Sequence, residues 1–279
     1  MGRSINKNMF QDFKTYLKEN ERSDATIQKY LHDIGCFYVY VAEKELDKEM
    51  ILEYKTELAR KYAISSANSM IASLNTFFKY LGWNDFCVRQ FKVQKKVYCN
   101  EEQEISRSDY MRLLGVAAEK KKDRLNLLIQ TICGTGIRVS ELSAITVEAV
   151  SNGEAIISCK GKTRKVFIVS KLRRKLLNYA KKSKIYTGAI FITRTGKPMD
   201  RSNIWREMKK LCKEANVSEE KVFPHNLRHL FARTFYNMDK DIAKLSDILG
   251  HTSINTTRVY IISTGAEHRR QMENMRLII

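Results

Sequence analysis

Ala155-Ile156-Ile157-Ser158-Cys159 and Val166-Phe167-Ile168-Val169 flank Lys160-Gly161-Lys162-Thr163, followed by Arg164 and Lys165. Two short apolar, β-branched runs around a glycine predict a β-hairpin with a basic tip. The passage is decisive because its surroundings read as helix. Upstream, an apolar helix over Leu125–Cys133 stops at Gly134-Thr135-Gly136, and Ser106 with Asp109 forms a capping box before Tyr110, Leu113 and Leu114. Downstream, helical spacing predicts helices near 171–183, 201–214, 225–237, 241–249 and 264–279. The rear of the chain, 104–279, is therefore α+β with a small β-sheet.

Further out, residues 1–85 read as four amphipathic helices. Met9, Phe10, Phe13, Tyr16 and Leu17 form the first stripe, and Ile27, Tyr30, Leu31, Ile34, Phe37, Tyr38 and Val41 the second, with Asp24 as its N-cap. Met50, Ile51, Tyr54 and Leu58 form the third; Ile71, Leu74, Phe77, Phe78 and Leu81 form the fourth, which stops at Gly82. The aromatics read as core. Between the two regions, 86–103 has no helical face and carries Lys92, Lys95 and Lys96, reading as a basic linker. It is either a solvated strap or a strap lying on a phosphate backbone. The fold class is mainly α, in two domains joined by this linker. With only two prolines in 279 residues, little interrupts the helices.

Fifty Lys and Arg against 31 Asp and Glu leave a net charge of +19. An excess of this size points to a polyanionic partner, nucleic acid before an anionic membrane surface. Residues 1–85 balance at 12 basic and 12 acidic, whereas 131–279 hold 28 basic and 13 acidic, which centres the polyanion site in the rear. No run approaches the ~18 apolar residues that span a bilayer. The N-terminus shows no apolar signal region, and Asn6 spoils a myristoylation pattern. Cys36, Cys87, Cys99, Cys133, Cys159 and Cys212 are scattered without a C-x-x-C pair, which reads as reduced thiols in a cytoplasmic protein and disfavours zinc.

The chemistry-bearing residues lie in the rear. Pro224 suits the first turn of a helix, which places His225 and Arg228 at i and i+3 on one face. Gly250-His251 and Tyr260 follow; Arg138 comes just after the glycine turn and Lys160 sits at the hairpin tip. Two guanidinium forks can hold the non-bridging oxygens of a phosphodiester and stabilise a pentavalent transition state. A tyrosine hydroxyl can attack the phosphorus, Lys160 can protonate the leaving 5′ oxygen, and His225 can serve as base or position the phosphate, which His251 can also bond. No carboxylate cluster with metal-site spacing accompanies them, so neither metal nor cofactor is expected.

Arg138 in G-I-R-V-S-E-L, Lys160 in C-K-G-K, His225 and Arg228 in P-H-N-L-R-H, His251 in L-G-H and Tyr260 are spaced by 22, 65, 3, 23 and 9 residues. This set resembles the active-site signature of the tyrosine recombinases, the family of phage integrases and of Xer-type and Cre-type recombinases. The resemblance covers about 104–279; the front helices resemble the family's SAM-like core-binding domain in architecture only. It implies Tyr260 as nucleophile, Arg138 and Arg228 as phosphate clamps, Lys160 as general acid, and His225 and His251 completing the site. Glu141 matches an acidic position that orients the arginine, with a plain helix-face carboxylate as the other reading. Lys162 is the alternative acid if the hairpin register differs, and His229 reads as structural. Lys95, Lys96, Lys162 and Arg164 are the expected further DNA contacts.

The implied activity is site-specific recombination through a 3′-phosphotyrosyl ester, which conserves the bond energy so that neither ATP nor a P-loop is needed. The implied partners are duplex DNA with inverted-repeat half-sites and a homotetramer on two such sites, with room for accessory proteins. A nicking and closing enzyme of the type IB topoisomerase kind and a non-catalytic DNA-binding protein are the competing readings; the two-domain layout disfavours the first and the complete set of six the second. A first core-type helix near residue 4 leaves no room for an arm-binding domain ahead of it. The tail from Ala266 carries Met272, Met275 and Ile279 on one stripe and must dock, either on its own domain or, as the resemblance favours, on a neighbouring protomer.

Overall fold

The computed structural model describes residues 3–42, 44–93, 103–159, 162–260 and 265–275. The chain divides into two compact units, Met1–Lys95 and Lys96–Ile279. No helix among the described residues is long and apolar enough to cross a membrane.

The front unit holds α1 (Asn8–Glu19), α2 (Asp24–Val41), α3 (Lys48–Lys61) and α4 (Ile64–Tyr80). Each buries the stripe that its apolar spacing predicts. Phe13, Phe37, Phe77 and Phe78 are fully buried, each contributing roughly 2–3 kcal/mol. The cap of α2 is Ser23, whose hydroxyl accepts from the Thr26 N–H; Asp24 is already the first helical residue. The first helix begins at Asn8, and the Asn6 side chain accepts from the Met9 N–H.

The expected linker starts later than residue 86. Phe86 and Val88 are buried in the front core, and the Asn75 and Asn68 side chains bond the backbone of Val88 and Phe91. Aromatic and apolar residues among the basic ones give 86–91 a surface to pack on, which a reading for helical faces alone passes over.

The rear unit runs α5 (Arg107–Glu119), α6 (Asp123–Thr135), α7 (Val147–Asn152), β1 (Glu154–Cys159), β2 (Lys162–Phe167), α8 (Ser170–Lys182), α9 (Arg201–Cys212), α10 (Pro224–Asp239), α11 (Ile242–Leu249), α12 (Ile254–Arg258) and α13 (Gly265–Asn274). The Ser106–Asp109 capping box is formed in both directions. α6 is central, touching α5, α8, α9 and α10. It ends on Gly136, whose φ of 64° is left-handed and whose absent side chain leaves room for the Phe231 ring. The antiparallel register pairs Ala155 with Val166 and Ile157 with Arg164. Ala155, Ile157 and Val166 face the core, so Arg164 faces inward too, while Ile156 and Phe167 are exposed. Met272 on α13 and Met275 just after it are exposed.

Candidate active site

Arg138 stands just past the glycine turn, before a 3-10 turn over Val139–Ala144. Its Nη1 donates to Glu141 Oε1 at 3.0 Å and its backbone N–H to Glu141 Oε2 at 3.0 Å. Glu141 Oε2 also accepts from Arg164 Nη2 at 2.6 Å. One carboxylate therefore fixes Arg138 at side chain and backbone and holds a second guanidinium beside it. Two cations on one carboxylate leave this corner net positive. Arg138 Nη2 reaches the Gly250 carbonyl at 3.4 Å. Gly250 has a φ of 64°, and a Cβ there would lie 2.3 Å from Arg164 Cδ. Glycine lets the Arg164 side chain pass.

Arg228, on the inner face of α10, is 1% exposed. Its Nη1 donates to the Gly136 carbonyl at 2.5 Å, and its Nη2 to the Leu249 carbonyl at 2.7 Å and to His251 Nε2 at 3.0 Å. Its Nε has no acceptor among the described residues. These partners are all neutral, so its charge is not cancelled by a carboxylate among the described residues. Burial, then the Arg138 charge, lowers its pKa to about 10, which leaves it protonated at neutral pH. A buried, protonated guanidinium held by neutral groups strongly favours an incoming anion.

Since Arg228 can only donate, His251 Nε2 accepts, and the neutral ring carries its proton on Nδ1. That N–H points to Thr257 Oγ1 at 2.8 Å. Thr257 is fully buried. Tyr260, also buried, places its hydroxyl 3.4 Å from His225 Nε2. Burial, then the charges of His229, Arg228 and Arg138, lowers His225 from 6.5 to about 4; burial, then Arg228 and Arg138, does the same for His251. A neutral His225 can accept the phenolic proton. Three imidazoles surround the Tyr260 ring, with centroids at 5.3 Å for His225, 5.2 Å for His251 and 4.4 Å for His229.

The structure thus brings together Arg138, Glu141, His225, Arg228, His251 and Tyr260, which lie up to 122 positions apart in the sequence. Lys160, Lys95 and Lys96 lie outside the described residues, as does the Lys162 side chain. Arg164, read from sequence as a DNA contact at the hairpin, is 13% exposed along its side chain and holds Glu141, because the register turns it inward. Thr257, Glu104 and His229 were not assigned to the site. The Thr257 hydroxyl, six residues after His251, was legible as a candidate partner; the Glu104–His229 contact spans 125 positions and left no local signal. Among the described residues no group of three or more His, Cys, Asp or Glu could hold a metal.

Residues 103–267 match the model of the phage integrase family, and residues 10–85 match that of the phage integrase N-terminal SAM-like domain. The chain belongs to the phage integrase family. Among relatives of this integrase, tyrosine recombinase XerA of Pyrococcus furiosus is 25% identical, over 99% of this chain and 96% of that one. A tyrosine recombinase of Pseudothermotoga lettingae is 28% identical, over 91% and 93%. In fold, the integrase is similar to lambda integrase residues 75–356 bound as a dimer to a core site (TM-score 0.76, 16% identity, 94% and 97% covered). It is also similar to XerH recombinase bound to a palindromic difH substrate after cleavage (TM-score 0.74, 19% identity, 95% and 84% covered). This phage integrase family member is a site-specific DNA recombinase, an enzyme that cleaves and rejoins DNA.

Proposed function

We propose that Tyr260 is the nucleophile of this recombinase. Its oxygen attacks the scissile phosphorus, and its proton passes to His225 Nε2. The phosphorus–5′ oxygen bond breaks, leaving a 3′-phosphotyrosyl ester on the enzyme. Lys160 protonates the departing 5′ oxygen. Arg138 and Arg228 hold the two non-bridging oxygens through the pentavalent transition state. His251 holds Arg228 through Nε2, and so reaches the phosphate by way of that guanidinium while its own N–H is taken by Thr257. Attack on the ester by the 5′ hydroxyl of a partner strand reverses these steps and reseals the DNA without ATP.

The observation that carries this reading is the approach of Tyr260 to His225 beside the buried Arg228, whose Cζ lies 5.9 Å from the phenol ring centre. The substrate is duplex DNA with inverted half-sites, bound at the basic strap (Lys95, Lys96) and at Lys162 of the hairpin. Four copies act on two sites, at DNA inside the cell. Lambda integrase is known as a tetramer on a Holliday junction, which supports this assembly. The test uses a nicked suicide duplex carrying the half-site that this protein enriches from a random duplex pool. Tyr260→Phe should bind it with unchanged affinity and form no covalent adduct; a 3′-phosphotyrosyl adduct in that variant would overturn the assignment.

A further inference from the structure

α10 has a second working face beside the one carrying His225 and Arg228. Asn226, His229 and Arg233, at i, i+3 and i+7, all reach residues 103–105, which lead into α5. Asn226 Nδ2 donates to the Gln103 carbonyl at 2.9 Å, and Arg233 Nη2 to the Ile105 carbonyl at 2.7 Å. Between them, Glu104 extends its carboxylate back to α10. Its Oε1 is 3.3 Å from His229 Nδ1, and its Oε2 is 3.2 Å from Arg233 Nη2. The carboxylate and imidazole are both largely buried. Burial pushes the Glu104 carboxyl up, but the His229 hydrogen bond and the Arg233 charge outweigh it and leave it below its usual range. Glu104 is therefore an anion at neutral pH, and His229 Nδ1 is the donor of this bond.

The other face of that imidazole lies on Tyr260. Its centroid is 4.4 Å from the phenol ring, nearer than either His225 or His251, and 4.8 Å from the His225 ring. His229 is thus in contact with both the phenol and its hydrogen-bond partner. Its rotamer and tautomer are set by a carboxylate that touches neither.

We propose that Glu104 and His229 form a positioning pair for Tyr260, an inference that rests on the reading of Tyr260 as nucleophile. Glu104 orients the His229 ring, and the ring holds the phenol where its hydroxyl meets His225. The logic is that of a base oriented by a third group, shifted one ring outward so that the oriented imidazole packs on the nucleophile. Displacing a reacting oxygen by about an ångström can slow a reaction about a hundredfold. Binding energy, by contrast, comes from phosphate contacts that the pair does not make.

The test measures single-turnover adduct formation on the enriched, nicked half-site duplex at saturating protein, together with half-site affinity and thermal midpoint. Glu104→Ala should slow adduct formation about ten- to a hundredfold with affinity kept within about twofold. Glu104→Gln, which keeps an oxygen to accept from Nδ1, should recover most of the rate. His229→Phe keeps a ring against Tyr260 without the tie to Glu104, and should match Glu104→Ala. The double variant should be no slower than either single one, because both cut the same link. If Glu104→Ala does not fold, the slowing in His229→Phe, with affinity kept and Glu104→Gln near the normal rate, decides. Normal rates in Glu104→Ala or His229→Phe, or losses that multiply in their double variant, would overturn the pair. Tyr260→Phe run alongside separates the two claims. An adduct persisting there defeats the nucleophile assignment, whereas its loss there with full activity in the others defeats the pair alone.

Discussion

At the scale of single residues, the site is organised by where protons are kept away. His225 and His251 both have their pKa lowered from 6.5 to about 4, by burial first and neighbouring cations second. In the free protein, their Cε1–H resonances should stay in the neutral position from pH 8 to 6 and move near pH 4, as followed by carbon–proton NMR. The same shift governs stability. The unfolded chain takes up these protons at higher pH than the folded one, so the contribution is full above about pH 6.5 and is lost as pH falls towards 4. Urea midpoints should accordingly drop between pH 6.5 and 4.5 and stay level, on this account, between pH 7 and 8. His225 keeps an exposed face, so the larger share belongs to His251.

At the scale of elements, two glycines with left-handed backbones separate strain from contact. Gly153, after α7, has a φ of 80° and open space where a Cβ would stand. Gly250, after α11, has a φ of 64°, and its Cβ would strike Arg164. Alanine at either position should cost about 1–3 kcal/mol in unfolding free energy through the backbone. Only Gly250→Ala should also slow DNA cleavage, because it displaces Arg164 from Glu141 and so loosens Arg138. Equal cleavage rates in the two variants would show that Arg164 does not support the clamp. The longer helices were legible, since each has a stripe of apolar residues at helical spacing; α7 and α12, of six and five residues, are too short to show one. So were Arg138, His225, Arg228, His251 and Tyr260, whose neighbours in the sequence carry the signature. What escaped was set by register and by long-range packing. Alternation along β2 turns Arg164 inward, and the partner of His229 lies 125 positions away. The cap of α2 was read one position late, at Asp24, because Ser23 beside it is as good a cap and apolar spacing does not fix a boundary to one residue.

For the whole molecule, charge and the tail decide what can be tested. The excess of 28 basic over 13 acidic residues in 131–279 predicts a steep fall of log affinity with log salt. Lys95→Gln with Lys96→Gln should reduce that slope by about 2 and weaken all DNA sequences alike; a change confined to sequence preference would remove the strap from the phosphate backbone. Met272 on α13 and Met275 just after it stand exposed, an apolar edge without a partner among the described residues. Ending the chain after Gly265 should leave binding to one half-site unchanged and abolish cooperative filling of two, as gel-shift titration would show.

The reach of α10 to residues 103–105 bears on how this chain can be divided. Helix content would start a rear fragment at Ser106, the cap of α5. Such a fragment keeps Arg138, Lys160, His225, Arg228, His251 and Tyr260, yet it strips Glu104 from His229 and Arg233 and the Gln103 carbonyl from Asn226. Three polar side chains of the helix that presents His225 and Arg228 would lose these partners, and one of them is the imidazole against Tyr260. The natural cut therefore falls ahead of Gln103, and a fragment trimmed to the first helix would resemble an inactive-site variant while lacking no residue of the catalytic set.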